Sequence, residues 1–213
     1  MKVALIGATG YVGSRVMVEA LQRGHEVTAI ARNPGRLPSV PQLNAVKGDI
    51  FDPDAIATLV AGHDAVINAF HPGWGTPESG SRQLSGEQAV IAAVKQAGIA
   101  RLLAVGCAGT LEIAPRLDLL DTAEFPQAMK GTARASRAVL RQLRDEPDLQ
   151  WTVLTPPALL EPGERTGSFR LEDDQLITDE NGLSKISLED YAVAMIDEME
   201  NPQHVGRRFT IGY

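Results

Sequence analysis

Three glycines near the start of the chain constrain its fold more than any other feature. Gly7, Gly10 and Gly13 follow the apolar run 3–6 and precede a stretch in which apolar residues recur at helical spacing. A second β-branched run, 26–31, completes a βαβ pattern. In such a unit Gly7 permits the tight turn, Gly10 lets backbone N–H groups approach a pyrophosphate, and Gly13 lets the helix pack closely on the sheet. The residues predicted to hold a dinucleotide here are Gly7, Thr9, Gly10, Tyr11, Val12 and Gly13.

Strand and helix patterns alternate along most of the chain. Beyond the first unit, strands are predicted at 45–47, 65–69, 102–105, 151–154 and 208–211, and helices at 54–60, 82–97, 127–143 and, after a Ser187 cap, to about 199. This alternation predicts an α/β fold with a doubly wound parallel sheet. We expect one domain over residues 1–213, in which 156–187 form a small substrate-side lobe and the runs 168–171 and 175–178 form a hairpin.

The composition excludes several classes of protein. Hydrophobic residues make up 44% and charged residues 22% of the 213 residues, which is typical of a globular protein with a large core. The net charge of −7 argues against nucleic acid or an anionic membrane as a partner and favours a small molecule. The single cysteine, Cys107, excludes an intrachain disulfide, and neither the cysteine nor the scattered carboxylates and histidines indicate a metal site. With no export signal evident, we expect a cytoplasmic protein.

Arg32 indicates which dinucleotide binds. It follows the second predicted strand, where NAD-preferring sites usually carry a carboxylate for the ribose hydroxyls. A guanidinium suits a 2′-phosphate, and Arg36 lies nearby, so NADP(H) is favoured over NAD(H). The alternative is that Arg32 is an ordinary solvated charge. Asp49 and Ile50 are candidates for the adenine, although Asp49 could equally cap its own loop.

Other candidate cofactor contacts follow later strands. Carboxyl ends of parallel strands meet at one edge of the sheet, so we expect backbone contacts there and a carboxamide contact from the Thr155-Pro156-Pro157 break. The candidates are Asn68, Ala69, Phe70, Val105, Gly106 and Pro156.

These residues resemble the atypical short-chain dehydrogenase/reductases and, within them, the group assigned provisionally as NADH-flavin reductases. Beyond the glycine turn the resemblance rests on VGCAGTL at 105–111, TPPA at 155–158, EPGERTG at 161–167 and ISLEDYA at 186–192. It implies an NAD(P)-binding oxidoreductase. A related flavin and biliverdin reductase has a histidine where this chain has Ala158 and a serine where it has Cys107. Both departures disfavour biliverdin-type substrates.

The chain lacks the Tyr-x-x-x-Lys pair of the better-known short-chain dehydrogenases. Its tyrosines are Tyr11, Tyr191 and Tyr213, and none is followed by lysine four residues later. Where the resembling group often has Tyr-Lys, this chain has Met129 and Lys130. Without that acid, alcohol or ketone chemistry is disfavoured, whereas hydride transfer to a flavin or quinone-like acceptor depends chiefly on orientation of the rings.

Four side chains are candidates for the chemistry itself. Lys130 is predicted to reach the cofactor ribose or the acceptor, unless it is simply a solvated lysine. Cys107 is a candidate at the same edge, although packing is the commoner role of a buried cysteine. His71 and Trp74 lie on a Gly/Pro-rich loop and are predicted to border the acceptor, with an ordered surface loop as the alternative.

Three functions therefore remain open. The first is an NADPH-dependent reductase of flavins or quinones, with flavin as substrate rather than a bound group. The second is a non-catalytic NADP(H) sensor like the NmrA-like regulators, which would also explain the missing Tyr and Lys. A sugar-nucleotide epimerase or dehydratase is weakened by the missing pair and the short C-terminal lobe. The protein is expected to be a monomer or homodimer.

Overall fold

The computed structural model describes residues 1–213. The strands are β1 Lys2–Ile6, β2 Glu26–Ala31, β3 Leu43–Lys47, β4 Ala65–Asn68, β5 Arg101–Val105, β6 Glu112–Ala114, β7 Leu117–Asp118, β8 Gln150–Thr155, β9 Leu159–Glu161, β10 Arg170–Glu172, β11 Lys185–Ser187 and β12 Arg207–Gly212. The helices are α1 Gly13–Gln22, α2 Pro53–Val60, α3 Ser79–Gln96, α4 Lys130–Arg144 and α5 Leu188–Glu200. None of these helices is both long and apolar enough to cross a membrane.

Eight strands form the central sheet in the order β10-β12-β8-β5-β4-β1-β2-β3. Seven of them are parallel, and only β10 runs antiparallel to its neighbour β12. The strand order reverses between β1 and β4, because the chain first winds outward through β2 and β3 and then returns to the other side of β1. The predicted doubly wound α/β fold is confirmed, and the carboxyl ends of β1 and β4 form a switch point of the kind that binds ligands.

Both faces of the sheet are covered by helices. Alternate residues of β1 divide between two cores, with Val3 and Leu5 in the cluster that contains residues of α1 and α5. Ala4 and Ile6 join the cluster that contains residues of α2, α3 and α4. This explains why β1 is an unbroken apolar run: a parallel strand inside the sheet has no solvent face.

The start of α5 confirms the predicted Ser187 cap. The Ser187 side chain accepts a hydrogen bond from the Asp190 N–H at 2.9 Å. The Asp190 carboxylate does not return to the Ser187 N–H, as it would in a capping box. It accepts bonds from Thr166, Gly167 and Tyr213 instead. The carboxylate therefore fastens another segment to α5.

The predicted hairpin of 168–171 and 175–178 is wrong. β10 pairs with β12, so that Leu171 lies opposite Ile211, and Gln175 makes an isolated bridge to Glu112. The end of the run 168–171 pairs with β12 because the outer edge of that strand has unpaired backbone N–H and C=O groups. Asp174 holds the second run in place because its carboxylate binds the guanidinium of Arg208. The small β6–β7 pair was also not predicted.

Candidate functional site

The turn between β1 and α1 can be made only with glycine at two positions. Gly7 has a φ of +84°, and a Cβ there would lie 2.5 Å from the Ala69 carbonyl oxygen. A Cβ on Gly13 would lie 2.2 Å from the Gly7 carbonyl oxygen. Both distances are shorter than carbon and oxygen tolerate, so the turn, the end of β4 and the start of α1 fit together only without side chains.

Several backbone donors of this turn have no partner within the protein. The Gly10 N–H donates to the Gly7 carbonyl at 2.8 Å and closes the turn. By contrast, the N–H groups of Thr9, Tyr11, Val12 and Gly13 donate to no protein atom, and no side chain caps α1. Unpaired N–H groups at a helix start form an anion site, where the helix dipole also favours negative charge. The residues present thus fit the pyrophosphate of a dinucleotide.

The end of β4 adjoins the turn, and the ends of β5 and β8 adjoin each other further along the same edge. Ala69 follows β4 and touches Gly7, as the glycine geometry shows. Further along the sheet, a Cβ on Gly106 after β5 would lie 2.4 Å from the Thr155 hydroxyl oxygen at the end of β8. That hydroxyl is buried and has no hydrogen-bond partner. The sequence candidates after β1, β4, β5 and β8 therefore lie along one edge.

A family model described as NAD(P)H-binding matches residues 7–202, which is most of the chain. The chain belongs to the NAD(P)H-binding family. The match begins at Gly7, the first glycine of the turn whose open N–H groups suit a phosphate.

Relatives of similar length agree with this assignment. The uncharacterized protein YwnB of Bacillus subtilis is 38% identical over 99% of this chain and 98% of its own length. A solved structure from Bacteroides thetaiotaomicron, provisionally named an epimerase, is 42% identical with a TM-score of 0.92, covering 100% of this chain and 96% of that one. Another from Streptococcus pneumoniae, provisionally named an NADH-flavin reductase, is 35% identical with a TM-score of 0.83, covering 100% and 99%.

In this NAD(P)H-binding protein, Arg32 is exposed directly after β2 and makes no hydrogen bond or ion pair. Asp49 accepts a bond from the Phe51 N–H at 3.1 Å, which is the loop-capping role. Ile50 is buried. Beside it, the Arg82 guanidinium lies 4.7 Å from the centre of the exposed Phe51 ring. This part of the site thus contains the unpaired guanidinium of Arg32 and the exposed ring of Phe51. The sequence analysis identified only Arg32.

The two aromatic candidates of the loop after β4 contact each other. The rings of His71 and Trp74 lie 3.9 Å apart between centroids, and Trp74 is 49% exposed. His71 Nδ1 accepts a bond from the Gly73 N–H at 3.0 Å. Partial removal from water lowers the pKa of His71, so the ring is neutral at physiological pH.

The two catalytic candidates differ in exposure and partners. Lys130 is the first residue of α4, is half-buried and forms no ion pair. Cys107 follows β5, and burial raises the pKa of its thiol to about 11. The thiol is therefore protonated near neutral pH, and the thiolate needed for nucleophilic attack is scarce.

The structure also shows polar residues that the sequence analysis did not single out. Glu87 is buried on α3 with Gln83 one turn before it. Both lie in the phase of the apolar stripe that continues through Val90, Ile91 and Val94, which was a readable signal of burial. The structure also shows a contact that the sequence analysis did not predict. The Tyr11 hydroxyl donates a hydrogen bond to the Leu160 carbonyl at 3.1 Å, which joins the glycine turn to the C-terminal region.

Proposed function

We propose that this protein is an oxidoreductase that transfers hydride from NADPH to a flavin or a quinone-like acceptor. The observation that carries the proposal is the row of unpartnered N–H groups at the start of α1, beside the end of β4. When bound there, the dihydronicotinamide supplies the hydride. The chain's own task is to orient the cofactor and the acceptor, which requires no Tyr-x-x-x-Lys pair.

The preference for NADP(H) over NAD(H) rests on Arg32. Its guanidinium is exposed at the end of β2 and carries no internal partner, and Arg36 follows within one short helical turn. A free planar cation can bind a phosphate by two parallel hydrogen bonds. A ribose hydroxyl would instead call for a carboxylate at this position.

The acceptor is proposed to bind as a substrate rather than as a resident flavin. His71 and Trp74 form an exposed, uncharged aromatic surface suited to a planar ring. Lys130, without an ion-pair partner, is proposed to contact the ribose or the charge that develops on the acceptor. The provisional name of the Streptococcus pneumoniae relative is consistent with such an acceptor. We expect a cytoplasmic monomer or homodimer.

The test combines binding with turnover. Binding of NADPH and of NADH is measured by calorimetry. Turnover is measured as the oxidation of NADPH, followed by absorbance, with FMN, FAD, riboflavin and a simple quinone supplied in turn. Arg32→Glu should weaken NADPH binding at least about tenfold and leave NADH binding nearly unchanged. Arg141→Glu, the same charge reversal at an exposed position of α4, is the control.

The outcomes separate the competing functions. Acceptor-dependent turnover that is lost in Gly10→Glu establishes the reductase. Tight NADPH binding without turnover of any acceptor favours the NADP(H)-sensing regulator and overturns the reductase. Equal losses for both dinucleotides in Arg32→Glu would remove Arg32 from the phosphate site.

A further inference from the structure

Glu87 is buried between two helices that approach closely. It lies on α3 and is 7% exposed. Near the start of α3, a Cβ on Gly80 would lie 2.9 Å from the Gly131 carbonyl oxygen of α4. This glycine contact lets the two helices pack backbone to backbone, and they enclose Glu87 against the sheet.

No positive charge compensates this carboxyl group. Its only hydrogen bond comes from the Gln83 side chain, and no Lys, Arg or His forms an ion pair with it. On α4, Arg137 is engaged by Asp118 and Asp121. The titratable group facing Glu87 from the end of β5 is the neutral thiol of Cys107. Burial without a counter-charge raises the pKa of Glu87 to about 7, so the group can gain and lose a proton near neutral pH.

Glu87 lines a small cavity of about 20 Å³ together with Gly106, Cys107, Thr110 and Ser136, and the rest of its wall is apolar side chains of β5, α4 and β8. That volume accommodates one water molecule, which needs two to four polar partners. The lining residues that carry such groups are Glu87 with its carboxyl, Cys107 with its thiol and Ser136 with its hydroxyl. Gln83 Oε1, which is buried and has no hydrogen-bond partner, lies on the helical turn before Glu87.

The cavity adjoins the edge where the cofactor is proposed to bind. Gly106 and Cys107 directly follow β5 and line the cavity, and Cys107 is half-buried. Hydride transfer to a quinone-like acceptor leaves an electron pair on oxygen, which must take up a proton. The chain has no Tyr-x-x-x-Lys pair to donate it.

We propose that Glu87 is the proton source of the reaction, delivering its proton to the reduced acceptor through a water molecule in the cavity beside Cys107. This inference rests on the proposed function. A dihydronicotinamide held at this edge would supply the hydride to the acceptor, so that the cofactor would be oxidised and the acceptor reduced. The O–H bond of Glu87 breaks, its proton joins the acceptor oxygen, and the carboxylate regains a proton from solvent by way of the cavity water.

A purely structural role for Glu87 makes different predictions. A glutamine at this position would keep the bond to Gln83 and fill the same volume, but it cannot ionise. Glu87→Gln therefore removes proton exchange while leaving the packing in place. Glu87→Asp keeps an acid, and Ser136→Val fills the cavity while leaving Glu87 intact. Glu78→Gln, at an exposed position beside the start of α3, is the matched control.

The first measurement needs no cofactor. Infrared spectra of the full-length protein across a pH series should show the carbonyl band of a protonated carboxyl that titrates near pH 7 and is absent from Glu87→Gln. The band should persist in Glu78→Gln. Its absence from the wild type would overturn the proposal, because Glu87 would then hold no proton to deliver.

The second measurement uses NADPH and a simple quinone. Glu87→Gln should lower the rate of quinone reduction about a hundredfold and abolish the decline in rate above pH 7, with the Kd for NADPH unchanged. Glu87→Asp should retain part of the wild-type rate of quinone reduction. Ser136→Val should lose that rate, because the valine fills the cavity. An unaltered rate and pH profile in a folded Glu87→Gln would overturn the proposal while the reductase stands. Absence of turnover in the wild type would instead overturn the reductase itself, and this proton transfer with it.

Discussion

Glu19 and Glu87 lie on opposite faces of the sheet, and their surroundings differ. Each is in the middle of a helix next to the sheet, with exposed fractions of only 4% and 7%. Glu19 on α1 accepts two hydrogen bonds from Arg165, both 2.8 Å long, and one of 2.7 Å from Arg23. Glu87 on α3 has a single neutral partner, Gln83.

The pKa values of the two carboxyl groups are shifted in opposite directions. The bonds from Arg165, followed by those from Arg23, hold the pKa of Glu19 below its usual value despite its burial. Burial alone dominates at Glu87 and raises its pKa. Glu19 is therefore a fixed negative charge that attaches the C-terminal region to α1, whereas Glu87 can bind and release a proton near neutral pH. Burial by itself does not tell these roles apart, but the partners do.

The largest expected effect tests the contrast between Glu87 and Glu19 through the stability of the protein at alkaline pH. Because the pKa of Glu87 rises from 4.5 to about 7 on folding, the native state favours the protonated group. Its stabilising contribution is present below about pH 4.5 and is lost as the pH rises through 7. The free energy of unfolding of Glu87→Gln, taken relative to that of the wild type, should therefore rise by about 3 kcal/mol between about pH 4 and pH 9. Urea unfolding at both pH values measures this; a constant difference would mean that Glu87 does not titrate.

An intermediate effect is expected from Glu19→Gln, which should destabilise the protein by about 2 kcal/mol at neutral pH because it weakens a buried charge network. The pKa of Glu19 is lowered, so its contribution is present above about 4.5 and falls as the pH drops through the lowered value. The loss relative to wild type should therefore shrink in acid, whereas Glu87→Gln should show a gain that appears as the pH rises. Glu26→Gln, at the exposed start of β2, is the control. A loss that grows in acid would contradict the assignment.

The smallest effect sharpens the comparison by testing the partner of Glu19. Arg165 is 51% exposed in its side chain, and exposed ion pairs contribute little to stability. Arg165→Ala should lower the free energy of unfolding by less than about 1 kcal/mol, because Arg23 still pairs with Glu19. Limited proteolysis should instead reveal faster cleavage near residues 163–168, which lose one attachment. Unchanged cleavage would show that the other contacts hold the segment without Arg165. These are the bonds from Gly163 to Glu189 and from Thr166 and Gly167 to Asp190.

Local patterns in the sequence predicted the sheet and the glycine turn, because apolar periodicity and glycine spacing act within one βαβ unit. β10 was beyond such reasoning, since Leu171 pairs with Ile211 of β12 rather than with the run 175–178 that follows it in the sequence. The raised pKa of Cys107 likewise depends on packing from distant elements. Glu87 was within reach: a carboxyl on an apolar helical stripe predicts burial, although the lack of a counter-charge is visible only in three dimensions.

The order of the last strands has a consequence for how the chain assembles. β10 precedes β12 in the sequence but lies outside it in the sheet, so Arg170–Glu172 has no neighbour until Arg207–Gly212 has docked beside β8. This edge of the sheet must therefore close after the intervening segment and α5 have formed. Such long-range pairings slow folding, because the loop must close before the contact stabilises it. We expect the amide protons of β10 to gain protection from exchange later in refolding than those of β1 and β2.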